Sequence, residues 1–599
     1  MNRQFPVFTH QAQCQDCSKC IRHCPEKAIS IQNATASIVS DYCIACGKCV
    51  TVCPFESKTI RKDIGRCISL LRRNPKTVLS VAPSWIAQYP NLTWEELTTQ
   101  AKQAGFCAVS ETAIGAQEVS NKLATIFKSA RPGVYISSAC PVAVEFIRKY
   151  YPEMTRLITP IASPLLMHAR MIKQQFGQDT DIVFLGPCVG KKLEADRFPN
   201  DIKLALTFQE FAELKEKNSL ATKNKSKDSI ASSGINLFQN MPTANSGRIY
   251  PVEGGMIETL LKQNKPENVE YFCISGFDEI KSWLETLDYP TDSITFLEVL
   301  ACPGGCINGS CITQKHSQLA TQKKIINFAE ENSQQSIAVS KVDSSMKIIP
   351  SKIVKQKFSP EEIQKALFSI GKAEGSQELN CGGCGYSTCR EMANALLSGH
   401  AEPDMCVSFM RNLASKKANA LLESMPSPVV IVNKKLEIIE NNRPFVELFG
   451  SELDYIYNSI GTLEGANIAA ILNCPELFEL ALQGGHKKQK YRLNQGDLDF
   501  TIQLFTVEPG EVIGAVINRH VDAIIHRDEI AKNAEQVLQK SLHTVQNIAC
   551  QLGEHMAETE VLLREIASCN PLSELEHPRK STIDTSKIIR HKKSDNINQ

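Results

Sequence analysis

Short apolar runs alternate with longer mixed stretches between residues 75 and 315. "TVLSVAP", "GVYISSACP" and "DIVFLGPCVG" read as buried strands that end in turn residues. Between them "VAVEFIRKYYPE" and "PLLMHARMIKQQFG" read as helices, so this region is predicted as an α/β domain. Two stretches rich in Lys, Ser, Asn and Gln break the pattern. The first, near 215–235, reads as an exposed insertion, and the second, 316–356, as a linker. Farther on, "MPSPVVIVNKKLEIIENNRPFVELFG" shows two alternating strands around a Lys-Lys turn, then a helix opened by proline, within a domain over 418–523. Residues 524–569 lack proline and repeat apolar positions at three- and four-residue steps through Ile530, Ala534, Val537, Val545, Ile548 and Leu552, with a lapse at Ser541. That is an amphipathic helix, suited to a coiled coil, a partner's groove or the domain before it. The polar tail 570–599 reads as disordered.

At 599 residues the chain is long enough for several domains, giving a multidomain α/β and α+β protein. Its 66 basic and 65 acidic residues leave a net charge of +1, which argues against nucleic acid or an acidic membrane as partner. The "RHKK" of the tail is too small a cluster to change that. No apolar stretch reaches the roughly 18 residues of a membrane span, and the N-terminus lacks a signal-peptide core, so a cytoplasmic protein is expected. In such a reducing compartment 23 cysteines point to metal rather than disulfides.

Within residues 1–62, "CQDCSKCIRHCP" supplies Cys14, Cys17, Cys20 and Cys24, and "CIACGKCVTVCP" supplies Cys43, Cys46, Cys49 and Cys53. Each is the bacterial ferredoxin run, whose fourth cysteine serves the other cluster. The spacing therefore assigns Cys14, Cys17, Cys20 and Cys53 to one 4Fe-4S cluster, and Cys43, Cys46, Cys49 and Cys24 to the other. Zinc is the competing reading, but it takes ligands at looser spacing. Four more cysteines stand at predicted strand ends of the α/β domain: Cys140, Cys188, Cys302 and Cys306. Strand ends of α/β sheets are where ligands sit. A third set, Cys381, Cys384, Cys389 and Cys406, lies in "CGGCGYSTCREMANALLSGHAEPDMC" within a small domain over 357–412. The other seven, Cys67, Cys107, Cys273, Cys311, Cys474, Cys550 and Cys569, show no ligand spacing.

"SSACP", "GPCVGKKLEADRF" and "FLEVLACPGGC", in that order behind a ferredoxin module and with "VEGGMIETL" at 252–260, resemble the iron-only (di-iron) hydrogenases. The resemblance implies a 4Fe-4S cubane on Cys140, Cys188, Cys302 and Cys306. Cys306 then bridges to a di-iron unit carrying CO, cyanide and azadithiolate. It also implies that Lys191 hydrogen-bonds one cyanide and that Pro83 and Ser84 lie near the other. The glycines of "ACPGGC" are expected to let inorganic ligands approach the backbone. The 381–406 set resembles the small 4Fe-4S domain of corrinoid iron–sulfur proteins and electron-transport subunits. The opening of 418–523 resembles a PAS domain, in which neither His486, in a polar loop, nor His520 reads as a cofactor ligand, and a cofactor-free relay or dimerisation module is favoured.

Departures from the hydrogenase pattern concern protons. Ala139 stands where the family's turnover enzymes carry a proton-relaying cysteine, and a methyl group relays nothing. Gly186 and Leu300 replace expected methionines, "INGSC" follows Cys306, and only Glu111 and Glu118 are near the usual glutamate exit. The combination predicts a slow hydrogenase used as a hydrogen sensor. Its partners would be H2 and protons, a ferredoxin or other redox protein, a downstream kinase, phosphatase or regulator, and a second copy of the chain. A metabolic ferredoxin-linked hydrogenase and a non-catalytic Fe-S scaffold are the competing readings.

Overall fold

The structure is a computed structural model. It describes residues 4–223, 243–263, 266, 268–286, 292–314, 317–330, 341–354, 356–483, 490–496, 498–520 and 537–541. The chain divides into two compact units, 1–415 and 416–599.

The N-terminal module is a repeat with an offset of 29 residues, from Cys14 to Cys43. Each copy packs a five-residue helix, Lys19–His23 or Lys48–Val52, after a left-handed residue, Ser18 or Gly47. Left-handed backbone recurs at the same offset in Asp16 and Ala45, and in Lys27 and Glu56. Such conformations are disfavoured outside glycine, and their repetition shows that the tight cysteine turns dictate the backbone. Two short antiparallel pairs, Val7–Thr9 with Lys58–Ile60 and Ile29–Gln32 with Thr35–Ile38, close the module.

The α/β region is built on two parallel sheets. The first contains β1 (Thr77–Val81), β2 (Ala108–Glu111), β4 (Asp181–Leu185) and β5 (Leu204–Leu206), in the order β2-β1-β4-β5. The second contains β3 (Gly133–Ile136), β6 (Val269–Ser275) and β7 (Ile294–Leu300), in the order β6-β7-β3. Strands β1, β4 and β7 are buried throughout, as continuous apolar runs require. Leu165, Leu166, Ile182 and Phe296 fill one core, and Leu79, Val183, Leu185 and Phe211 another.

A buried ion cluster ties the N-terminal module to this region. Lys192 Nζ lies 3.0 Å from Asp63 and 2.8 Å from Glu210, and Arg61 pairs with Asp63 and Asp196. Burial works against the Asp63 charge, but Lys192 and Arg61 hold its carboxyl below the ordinary aspartate value.

Residues 316–356 are not merely a linker. Helix Gln318–Glu330 buries Thr321, Ile325 and Ala329, four residues apart, in a stretch otherwise polar. Phe328 on the same helix meets Trp85 edge-on at 5.7 Å. Downstream, Ser344 O accepts from Ala162 N (2.8 Å) and Pro160 O accepts from Met346 N (3.0 Å). Both segments thus belong to the α/β domain, because one apolar position per turn is enough to dock a helix whose composition looks solvated. The insertion expected near 215–235 is entered by helix Phe208–Lys223, and residues 224–242 lie outside the described residues.

Helix Pro360–Ser369, with a capping box at Ser359 and Glu362, packs beside Cys389–Leu397, capped by Thr388. The chain passes into the second unit within helix Val407–Ser424. That unit has one antiparallel sheet of β8 (Val429–Asn433), β9 (Ile438–Asn441), β10 (Lys490–Gln495), β11 (Leu498–Glu508) and β12 (Val512–Arg519), in the order β9-β8-β12-β11-β10. Phe445, Phe478, Phe500 and Ile502 fill its core. His520 is exposed and within hydrogen-bond distance of Thr501 Oγ1 (2.5 Å), whereas His486 lies outside the described residues. Of the amphipathic helix expected over 524–569 only 537–541 are described, as helix; the tail 570–599 lies outside the described residues.

Candidate functional site

Parallel strands deliver their carboxyl ends to one side of a sheet, and here two sheets bring theirs together. From the first sheet β1 leads into Pro83 and Ser84, and β4 into Cys188. From the second, β3 leads into Ala139 and Cys140, and β7 into Cys302 and Cys306. All of these residues, with Lys191 and Leu300, line one cavity of about 940 Å³. Cys140 directly precedes helix Pro141–Tyr150, whose first-turn proline needs no hydrogen-bond partner. Gly190, just after Cys188, lets the two helices meet: a Cβ there would stand 2.4 Å from Val142 Cγ2.

The glycines of "ACPGGC" are required by the loop itself, and Gly305 also lines the cavity. Gly304 and Gly305 have φ of +73° and +94°. A Cβ on Gly305 would meet Pro251 O at 2.4 Å and Glu253 N at 3.0 Å, and one on Gly304 would meet Gln318 Nε2 at 2.5 Å. The side that a Cβ would take on each therefore faces protein. Gly305 N donates to Cys302 O and Ile307 N to Pro251 O, so the residue just before "VEGGMIETL" helps seat the cysteine turn.

Burial, followed by the neighbouring Cys140, raises the Cys188 thiol to about 11, with Lys191 drawing it back. Burial and then Cys188, Cys306, Cys140 and Cys46 hold Cys302 well above its ordinary value. Thiols placed like Cys188 and Cys302 hold their protons until a metal takes them. Among the described residues no three His, Cys, Asp or Glu side chains close on a single-ion site; the thiols face a shared volume, which suits a guest larger than zinc. Ser84 Oγ is buried in that cavity with no hydrogen-bond partner among the described residues. Lys191 Nζ stands 2.7 Å from Glu194 and 3.4 Å from Ser163 Oγ, so a carboxylate holds the ammonium at the cavity wall. A donor without an acceptor, a cation and four thiols fit an anionic iron–sulfur group.

Gly186 has a structural reason. A Cβ there would sit 2.5 Å from the Phe184 ring, so Phe184, which lines the cavity, occupies the space of a longer side chain. Glu111 is not a free carboxyl: Arg248 holds it through two contacts of 2.6 and 2.7 Å. Glu118 is fully buried beside Asn121 and Lys122, and neither glutamate lines the cavity. Of the acidic residues that line it, Glu26, Asp278, Glu279 and Glu298, the fully buried one is Glu298, which sequence reasoning missed. Glu298 is 1% exposed, accepts from Ile257 N at 3.1 Å, and burial raises its carboxyl to about 8. The one signal in the sequence was a glutamate inside a strand otherwise apolar, "ITFLEVL".

Cys24 and Cys46 line the same cavity. Burial, then Cys46, Cys43 and Cys24, hold Cys49 well above the ordinary thiol value, so these four lie together. Burial also raises Cys20, with Lys58 opposing and Cys14 and Cys17 adding to it. Cys20, Cys24, Cys49, Cys384 and Cys389 border one core shared by the N-terminal module and the small domain. Of the unassigned thiols, Cys67, Cys311 and Cys474 are buried in cores, and Cys550 and Cys569 lie outside the described residues.

Residues 75–310 match the family model for the iron only hydrogenase large subunit, C-terminal domain. Residues 6–54 match that for a 4Fe-4S dicluster domain, and 377–408 that for an Fe-S cluster. Iron hydrogenase 1 of Clostridium pasteurianum is 25% identical over 261 residues, covering 36% of this chain and 44% of the relative. The chain thus spans less than half of that relative's length. A variant of the FeFe-hydrogenase HydA1 from Chlamydomonas reinhardtii aligns at 18% identity and TM-score 0.32, over 49% of this chain and 92% of that one. The PAS domain of an HTR-like protein from Haloarcula marismortui aligns at 17% identity and TM-score 0.14, over 18% and 95%. The family models and the curated relative support the iron-only hydrogenase family for the α/β region and 4Fe-4S modules before and after it.

Proposed function

We propose that this protein is a hydrogen-sensing iron-only hydrogenase, which reversibly splits H2 slowly and passes its redox state to a signalling module. One observation carries the reading: four thiols from two sheets share a cavity with Lys191 and an unpartnered Ser84 hydroxyl, while Ala139 stands at the same wall without a proton to give.

Cys140, Cys188, Cys302 and Cys306 would hold a 4Fe-4S cubane, with Cys306 bridging to the di-iron unit. When bound, that group supplies a metal centre for heterolytic cleavage or formation of H2. Lys191 and Ser84 would offer donors to its cyanides, and Pro83 shapes the wall without adding an acceptor of its own side chain. Lys191 is kept in place by Glu194, which orients the ammonium rather than leaving it to solvent. Glu298 can carry a proton near neutrality at the cavity wall, where Ala139 cannot. Four cubanes are expected in all, on the sets of Cys14, Cys17, Cys20 and Cys53, of Cys43, Cys46, Cys49 and Cys24, at the hydrogen site, and on Cys381, Cys384, Cys389 and Cys406.

The order β9-β8-β12-β11-β10 and the side-chain-filled core of the second unit suit a PAS module without a cofactor. In this reading it works in the cytoplasm, pairs with a second copy, and acts on a downstream kinase, phosphatase or regulator. A sensor needs a changed redox state rather than throughput, so a weak proton route is compatible with it. A metabolic hydrogenase would need the fast relay that Ala139 breaks.

The deciding experiment is infrared spectroscopy of protein matured with the di-iron assembly machinery, then exposed to H2. CO and cyanide bands that change under H2, together with slow viologen turnover, are the expected result. A well-formed cubane signal without those bands would favour a scaffold and defeat the proposal.

A further inference from the structure

Helix Lys19–His23 carries Cys20 and ends at Cys24, so it belongs to both N-terminal thiol sets. Its outward side meets the glycine turn of the small domain. Arg22 donates to Cys17 O (2.8 Å) and to Gly383 O (3.3 Å), linking two cysteine-bearing turns through one guanidinium. Gly385 makes the approach possible: at φ +97° a Cβ would stand 2.9 Å from Ile21 Cγ2 and 3.2 Å from Arg22 N.

The contact extends beyond that point. Asn33 and Ala34 form a left-handed hairpin turn, unusual for alanine, and Glu402 accepts from both of their N–H groups (2.6 and 3.2 Å). Ile31 N donates to His400 O at 2.9 Å, and Gln32 Nε2 to Gly399 O at 2.6 Å. Within this joint the Tyr386 hydroxyl is buried and has no hydrogen-bond partner among the described residues. The residue is 5% exposed, and Cys384 and Cys24 lie within its electrostatic reach. A buried phenol normally finds an acceptor, so the missing one points to a group that the side chains themselves do not supply.

We propose that the 381–406 thiol set is a branch of the N-terminal cluster pair, joined to it across helix Lys19–His23, with the Tyr386 hydroxyl donating to a cluster sulfur at the joint. The inference rests on the 4Fe-4S reading of these sets and not on hydrogen chemistry. The Cys24-bearing set, whose Cys46 faces Cys302, then has two onward neighbours: the Cys14 set and the 381–406 set. The second leads along the chain into helix Val407–Ser424. Hydrogen bonds to sulfur and a nearby cation both favour the more negative, reduced cluster, so Tyr386 and Arg22 raise the potential at the joint.

The test uses the full chain, reconstituted with iron and sulfide but without the di-iron unit, and reduced chemically. Electron paramagnetic resonance during a redox titration should show the 381–406 signal, identified by its loss in Cys389→Ser, broadened by magnetic interaction with an N-terminal cluster. Tyr386→Phe should keep the iron content and lower one midpoint potential, and Arg22→Gln should lower a midpoint at the same joint. An isolated 381–406 signal, or midpoints unchanged in both variants, would overturn the proposal. Should Tyr386→Phe fail to assemble, Arg22→Gln and the native interaction still decide it. Because no di-iron unit is present, the result is independent of whether the protein handles hydrogen.

Discussion

The two copies of the N-terminal cysteine repeat share their spacing and their left-handed positions, yet they face different surroundings. In the first copy Cys17 is exposed; in the second the matching Cys46 is raised to about 12 by burial and lines the cavity that Cys140, Cys188, Cys302 and Cys306 share. Ser18 of the first copy becomes Gly47 in the second, where a Cβ would meet Ser310 Oγ at 2.5 Å and Val189 Cγ2 at 3.0 Å. That close approach gives the "INGSC" departure a place: its serine packs against the repeat. Lys149 Nζ donates to Cys43 O (2.8 Å) and Tyr150 to Tyr42 O (2.7 Å), fastening the second copy to the helix after Cys140. The first copy is fastened instead to the 381–406 domain. Ligand spacing sets how a cluster is held, and packing sets which neighbours can exchange electrons with it.

The sharpest way to break this contrast is to remove one cysteine from each copy. Cys46→Ala should abolish H2-driven reduction of the 381–406 cluster, read by paramagnetic resonance of matured full-length protein. Cys17→Ala should leave that reduction intact while lowering the iron content. Equal effects would show that the two copies are not inner and outer members of a chain.

Proton supply at the proposed hydrogen site sets the next two effects. Glu298 is protonated up to about pH 8, because burial disfavours its charged form, so its ability to donate is lost as pH rises through that value. If it carries protons, Glu298→Gln should lower viologen-driven H2 evolution by about 10²-fold. The native decline above pH 8 should disappear with it. An unchanged rate and profile would make Glu298 a structural carboxyl. Ala139→Cys restores only one member of a relay, with Glu111 locked by Arg248 and Glu118 away from the cavity, so a gain of about tenfold is expected. A native rate already equal to that of a dedicated hydrogenase would remove the argument for slow turnover.

Much of this was legible in the chain. Strand ends carrying Cys140, Cys188, Cys302 and Cys306 could be read from apolar runs and turn residues, because burial on both faces leaves a continuous pattern. That two sheets share the site was not legible, since periodicity says nothing of which strands pair. Helix Gln318–Glu330 was hidden because its docking rests on three positions within polar surroundings. Glu298 was hidden because a single acidic residue in a strand does not announce its environment. The glycines of "ACPGGC" were recognised as necessary, but their reason, contact with Pro251 and Gln318, depends on segments remote in sequence.

The smallest effect concerns charge. Lys58 is 1% exposed beneath the first copy; its Nζ donates to Ala36 O at 2.7 Å, and no carboxylate pairs with it among the described residues. Lys149, beside the second copy, lies 3.3 Å from Glu145, which Arg148 and Arg197 also contact. Lys58 thus meets the first copy with no carboxylate beside it among the described residues, whereas Lys149 shares one with Arg148 and Arg197, and a buried charge is felt strongly. Adding an electron makes a cluster more negative, so Lys58 should make the Cys14 set easier to reduce than the Cys24 set. Lys58→Met keeps the apolar stem and removes the charge. An interaction of about 1–2 kcal/mol at an effective protein dielectric corresponds to a midpoint lowered by roughly 40–90 mV for a one-electron couple. The two N-terminal midpoints should then draw together in a redox titration, with iron content unchanged as the control for assembly. If the Cys14 set is already the harder to reduce in native protein, or Lys58→Met moves neither midpoint, the difference between the copies lies in packing alone.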